Sequence, residues 1–179
     1  PLDYSAVILN SKLGIEHYFR LCEEMRITVP DTMHYYCNSE QVGLYLQKYI
    51  QYRKRKVFFP ETGNRFEDVL PAMHRRPHET YLMVLSDIHT QEQINMFAEN
   101  NIEVTPAIMY RTVTTPWPKE QPFDYDMIAL FTPAGVKALC ENFPDWKQGE
   151  TLIAAFGEGT VRALEQAGYR VDITAGANC

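Results

Sequence analysis

The chain of 179 residues lacks any basic excess: 17 Lys and Arg stand against 23 Asp and Glu, a formal net charge of −6. That balance argues against nucleic acid as a partner, because a phosphate backbone calls for a basic face. It also disfavours a polyanionic ligand at long range, so such a ligand would have to be gripped by local donors. No apolar run approaches the roughly 20 residues of a membrane span, and no signal-peptide pattern opens the chain; a cytoplasmic protein without a membrane partner is expected. Cys22, Cys37, Cys140 and Cys179 are far apart and form no paired motif, which predicts reduced thiols in a reducing compartment. Metal spacing is missing too. His74 and His78 lie four apart, but Pro77 breaks the helix that would align them and no acidic third ligand is placed, so no metal is expected. Ser86-Asp87-Ile88-His89 contains triad residue types, too close along the chain to form a relay. Asp87 also lacks the acidic pair that a phospho-acceptor site would need.

A repeat is present instead. Asp3-Tyr4-Ser5-Ala6-Val7-Ile8-Leu9-Asn10-Ser11-Lys12-Leu13-Gly14-Ile15 aligns without a gap on Asp124-Tyr125-Asp126-Met127-Ile128-Ala129-Leu130-Phe131-Thr132-Pro133-Ala134-Gly135-Val136, 121 positions later. Each copy has an Asp-Tyr lead, an apolar run, a hydroxyl residue, two spacers, a Gly and a β-branched residue. That is a buried strand ending in a loop that opens a helix. A helix start exposes unpaired N–H groups and the positive end of the dipole, a ready anion site. The likeness continues: Asn38-Ser39-Glu40-Gln41-Val42 lies opposite Gly157-Glu158-Gly159-Thr160-Val161, each following an apolar strand and opening a helix.

Strand and helix signals alternate. Strands are expected over residues 5–9, 33–37, 56–59, 81–86, 103–110, 127–131, 151–156 and 170–174, and helices over 13–25, 40–52, 66–74, 91–100, 134–142 and 160–167. This rhythm predicts parallel sheets with helices on their faces. Ser39 and Thr132-Pro133 suit helix starts, Thr90 with Gln93 suits a capping box, and Gly168 suits a C-terminal stop. Tyr45, Tyr49 and Tyr52 would share a helix face as packing. The basic run Tyr52-Arg53-Lys54-Arg55-Lys56 would be a solvated helix end favoured by the dipole. Pro116, Pro118 and Pro122 mark a linker. We therefore expect a first domain over 3–113, a linker over 114–123 and part of a second domain over 124–179. Pro1 stands directly before a strand and Cys179 just after one, so further residues are expected at both ends.

These elements resemble the uroporphyrinogen-III synthase family. Leu130-Phe131-Thr132-Pro133-Ala134-Gly135-Val136 is similar to that family's Phe-Ser/Thr-Pro-Ser-Gly-Val turn. Phe156-Gly157-Glu158-Gly159-Thr160-Val161-Arg162-Ala163-Leu164, followed by Ala167-Gly168-Tyr169-Arg170-Val171, resembles its Gly-Pro-Thr-Thr-Ala-x-Ala-Leu…Gly segment. Met109-Tyr110-Arg111-Thr112-Val113 resembles its Val-Tyr-x-Thr-Val, and Phe58-Phe59-Pro60-Glu61-Thr62-Gly63 its strand-plus-Gly loop. Glu158 and Gly159 stand where the family often has Pro and Thr. The family's opening strand–helix–strand and closing helix have no counterpart here.

The resemblance implies an α/β protein of two flavodoxin-like parallel-sheet domains, joined by paired linkers across a wide cleft, one of them incomplete within this chain. It also implies a monomeric, cofactor-free enzyme of tetrapyrrole biosynthesis. The substrate would be hydroxymethylbilane, a linear tetrapyrrole with eight carboxylates. Loss of its hydroxyl gives a reactive azafulvene, and closure through a spiro intermediate inverts the terminal ring. Most of the work is then positioning. Backbone N–H groups and side chains at the helix starts would hold carboxylates, with Ser11, Asn38, Ser39, Thr132, Gly157 and Thr160 as candidates and Lys12 adding a cation. Tyr110 matches the family tyrosine proposed as proton donor; a phenol is neutral at pH 7 and can donate. Capping alone also accounts for Ser11, Ser39 and Thr132, and strand preference for Tyr110. The alternative function is a non-catalytic binder of small polyanions.

Overall fold

The computed structural model describes residues 3–63, 65–89 and 91–175. The chain divides after Thr112 into two compact units. In the first unit β1 (Ala6–Leu9), β2 (His34–Cys37), β3 (Val57–Phe58), β4 (Tyr81–Ser86) and β5 (Val104–Tyr110) form one sheet in the order β3-β2-β1-β4-β5. Every pairing is parallel. The helices are α1 (Lys12–Glu24), α2 (Glu40–Tyr45), α3 (Leu70–His74) and α4 (Gln91–Glu99). β1 and residues 81–85 of β4 are buried runs because both of their faces are covered. Val7, Leu9 and Val84 pack with Ile15 and Tyr18 of α1, whereas Ala6, Ile8 and Met83 pack with Met73 of α3 and Phe97 of α4. Each large apolar side chain so buried contributes roughly 1.5–3 kcal/mol. Strand order reverses between β1 and β4, and in such sheets ligands bind beyond the carboxyl ends of the strands at that point.

The second unit is a parallel sheet of β6 (Met127–Leu130), β7 (Leu152–Phe156) and β8 (Ile173–Ala175) in the order β6-β7-β8. It carries α5 (Pro133–Asn142) and α6 (Glu158–Gln166). Residues 127–130 of β6 and the start of α5 fall at the 121-residue offset from β1 and α1, so the repeat read from the sequence is a repeat of structure. Val136, Ile153, Ala155 and Leu164 form the core. On the opposite face Met127, Leu152 and Ile173 are exposed, whereas Ala6, the counterpart of Met127, is fully buried. Both units are parallel α/β sheets, as the alternating signals predict.

Four expectations are corrected. The helix expected over 40–52 stops at Tyr45, continues as a 3-10 turn over Leu46–Lys48, and gives way to coil. Tyr49 leaves the helix to stack on Phe19 of α1 with ring centroids 4.7 Å apart, so the three tyrosines do not share a helix face. The basic run is accordingly no helix end: it leads into β3, and Lys56, nearly buried, binds Asp31 at 2.8 Å. The final strand is shorter than expected, starting three residues later and ending one later, at Ile173–Ala175.

Thr90, Cys179 and the expected capping box lie outside the described residues. Residues 114–123 carry neither helix nor strand. Trp117 and Phe123 pack against Phe143, at 5.7 and 3.9 Å between centroids, and the Trp117 backbone N–H donates to Asn142 Oδ1 at 2.7 Å.

Candidate active site

Ser11 follows β1 and caps α1. Its extended backbone turns Oγ back to accept the Gly14 N–H at 2.9 Å. The same Oγ lies 3.2 Å from Tyr110 Oη, with either hydroxyl able to donate. Two sequence candidates 99 residues apart thus meet beyond the carboxyl ends of β1 and β5.

A β-bulge makes the meeting possible. β4 and β5 run in register to Leu85 and Ile108, after which Ser86 pairs with Tyr110. Met109 is the extra residue. An unbroken strand would send Met109 and Tyr110 to opposite faces; with the bulge, both pack on the α1 side while Ile108 is exposed on the other. β5 is an edge strand, which tolerates both the bulge and Pro106. Gly14 gives α1 room to approach: a Cβ there would stand 3.2 Å from Ser11 Oγ and 4.0 Å from Tyr110 Cε1.

Asn38 and Ser39 follow β2. Ser39 caps α2, accepting the Val42 N–H at 3.4 Å. Among the described residues, Asn38 Oδ1 is a buried side-chain oxygen with no hydrogen-bond partner. Asn10, Asn38, Ser39 and Gly63 line a cavity of about 650 Å³ here, with Glu40 and Glu61 also on its wall. Lys12, exposed at the first position of α1, has its Nζ 5.7 Å from the Tyr45 ring centroid. Cys37 lies under this loop, and burial pushes its thiol well above the ordinary range, so it is no nucleophile.

In the second unit Thr132 repeats Ser11: it has the same extended backbone and its Oγ1 accepts the Gly135 N–H at 3.2 Å. Gly157 caps α6 through its backbone alone, at φ +82° and ψ 146°. The caps correct the alignment of the second turns by one residue. Ser39 and Gly157 are the equivalent positions, since each carbonyl accepts from the residue four along, Gly43 and Val161. Thr160 then matches Val42, not Gln41. Both residues are buried on the inner side of the helix, Thr160 at 2% exposure, so the Thr160 hydroxyl is packed inward while Thr132 is exposed. Glu158 sits exposed in the first turn of α6, where a carboxylate is favoured by the dipole.

The remaining polar motifs are turned to backbone. Ser86 Oγ donates to the Ile88 carbonyl, His89 Nδ1 bonds the Ser86 carbonyl and Asp87 accepts the Thr112 N–H. His74 bonds the Asn100 carbonyl.

One residue of this neighbourhood escapes the sequence reading. His17 stacks on Tyr110 with ring centroids 4.9 Å apart and planes 11° from parallel. Ser11, Gly14, His17 and Arg20 recur every three residues along α1. At 3.6 residues per turn such a row winds obliquely round the helix, so neighbours three apart touch but the four share no single face, and which strand the row meets is not written in the spacing.

Fold and site together define a class: α/β units whose capped helix starts stand at the carboxyl ends of parallel strands, with a phenol at one of them. The chain belongs to the uroporphyrinogen-III synthase family, one of haem biosynthesis, since the family described as Uroporphyrinogen-III synthase HemD matches residues 1–177. A solved uroporphyrinogen-III synthetase from Helicobacter pylori 26695 is similar at TM-score 0.72 and 18% identity, over 98% of this chain and 78% of that one. A mutant uroporphyrinogen III synthase from the extremely thermophilic bacterium Thermus thermophilus is similar at TM-score 0.55 and 14% identity, over 98% and 73%. These likenesses concern the fold. Comparison with curated proteins gave no match. No helix among the described residues is long and apolar enough to cross a membrane.

Proposed function

We propose that the chain is a cyclising hydro-lyase that converts hydroxymethylbilane to uroporphyrinogen III and water. The observation that carries the reading is the Ser11–Tyr110 contact at the start of α1. In this reading the Ser11 hydroxyl donates to Tyr110 Oη, which leaves the phenol proton free for the substrate. The bilane C–O bond breaks, the departing hydroxyl takes that proton and leaves as water, and the pyrrole N–H proton released on forming the azafulvene returns to the phenolate. The terminal pyrrole then attacks through its substituted carbon, and the spiro intermediate reopens and closes inverted.

Gripping the carboxylates falls to the free N–H groups behind Ser11, Ser39, Thr132 and Gly157, with Lys12 as a cation and Asn38 at the second loop. Thr160 supports the α6 start from inside. The partner is this small molecule alone, and no cofactor enters a step. We also propose the domain division of the sequence reading, with the segment over 114–123 as connector.

Purified protein given enzymatically made hydroxymethylbilane is expected to yield the type III isomer, read by chromatography of the oxidised porphyrins. Type I product alone, the spontaneous outcome, would refute the assignment. Tyr110→Phe is expected to lower kcat by about 100-fold without abolishing turnover. Unchanged turnover would remove Tyr110 from the chemistry.

A further inference from the structure

Tyr110 closes β5 on the edge of the sheet, and its one described side-chain hydrogen bond, to Ser11, fixes the oxygen and leaves the ring free to pivot about it. The ring is instead held flat against His17, from the second turn of α1. His17 is itself fixed. Arg20, one turn on, places Nε 3.3 Å and a terminal nitrogen 3.2 Å from His17 Nδ1. A guanidinium only donates, so Nδ1 is the acceptor and the ring proton sits on Nε2. Arg20 is anchored in turn by Glu24 at 2.6 Å. A chain of contacts from Glu24 through Arg20 and His17, each one turn from the next, thus ends on the phenol, and Gly14, one turn before His17, leaves the room in which Ser11 and Tyr110 meet.

We propose that His17 is a positioning residue for Tyr110: its imidazole, oriented by Arg20, clamps the phenol ring so that Oη stays on Ser11 and its proton faces the departing hydroxyl. The proposal rests on the reading of Tyr110 as proton donor. A parallel pair of aromatic rings favours one orientation of the phenol without deciding the stability of the fold. The clamp needs a flat ring at position 17 but no proton from it. His17→Phe should therefore replace the native residue, and His17→Gln, which can still accept from Arg20 yet cannot stack, should not.

The test uses the full chain with hydroxymethylbilane, and separately the nuclear magnetic resonance of its tyrosine rings, assigned through Tyr110→Phe. His17→Gln and His17→Ala are expected to lower kcat about tenfold with KM within a factor of two, because misplacing a reacting group costs rate and not binding. His17→Phe should retain most of kcat. The double variant His17→Gln/Tyr110→Phe should be no slower than Tyr110→Phe alone. The Tyr110 ring signals should show a ring-current shift in the native protein and His17→Phe, lost in His17→Gln. If His17→Ala does not fold, the Gln and Phe variants carry the comparison. A native kcat in His17→Gln, a His17→Phe as slow as His17→Gln, or no ring-current shift would each overturn the proposal. If the shift is present but Tyr110→Phe turns over normally, the Tyr110 reading falls, and the stack is packing only.

Discussion

Gly157 heads α6 at φ +82° and ψ 146°, a backbone that an L side chain enters only with strain, although a Cβ there would touch nothing within 4 Å. The cost of substitution is therefore conformational. Gly157→Ala should destabilise by about 1–3 kcal/mol in denaturant melts. Gly14 has the opposite character. Its backbone is ordinary helix, but an added methyl would press on Ser11 Oγ at 3.2 Å and on Val84 Cγ1 at 3.6 Å. Gly14→Ala should keep the fold and, under the proposed mechanism, slow turnover by displacing Ser11 from Tyr110; an unchanged kcat would show that the contact is dispensable. Both glycines are plain in the sequence, and only coordinates separate the two reasons for them.

At the scale of elements, the strand starts of the first sheet enclose a carboxylate. Glu79, before β4, accepts from Tyr36 Oη at 2.6 Å and from Tyr81 Oη at 3.3 Å, and also pairs with His34. Glu79→Ala would strand two buried phenols and cost about 1–3 kcal/mol, whereas Glu79→Gln, still an acceptor, should cost less. Burial, with Glu79 adding its charge, pushes Tyr81 up to about 12, and burial drives Tyr18, Tyr35 and Tyr36 higher still. A phenol raised in the fold above its unfolded value near 10 stabilises fully below that value and loses the contribution as pH climbs through the folded one. Stability should thus hold up to about pH 10 and fall progressively above it. Phenolate absorbance from these tyrosines should rise together with loss of the helical circular dichroism signal; ionisation without unfolding would contradict the burial argument.

For the whole molecule, the first unit has both sheet faces covered by its own helices, whereas the second leaves Met127, Leu152 and Ile173 exposed. A fragment of residues 1–112 should accordingly melt as one cooperative transition. A fragment of residues 113–179 should bind the hydrophobic dye ANS and melt without one. The connector read at 114–123 behaves as part of the second unit where Phe123 stacks on Phe143 and Trp117 meets the same ring edge-on. Its prolines announce broken regular structure, while its aromatic contacts announce nothing along the chain.

The alternation of elements, the 121-residue repeat and the hydroxyl caps were all legible along the chain, because apolar periodicity and capping are local physics acting within a few residues. The sequence could not determine where α2 ends, because Tyr49 leaves the helix for a partner on α1. Nor could it reveal that Thr160 turns inward, since that depends on which position truly caps α6. The join of Ser11, His17 and Tyr110 was decided by tertiary structure alone. It needs a bulge set by strand pairing and a glycine gap facing a strand more than ninety residues away, and no short-range pattern encodes either.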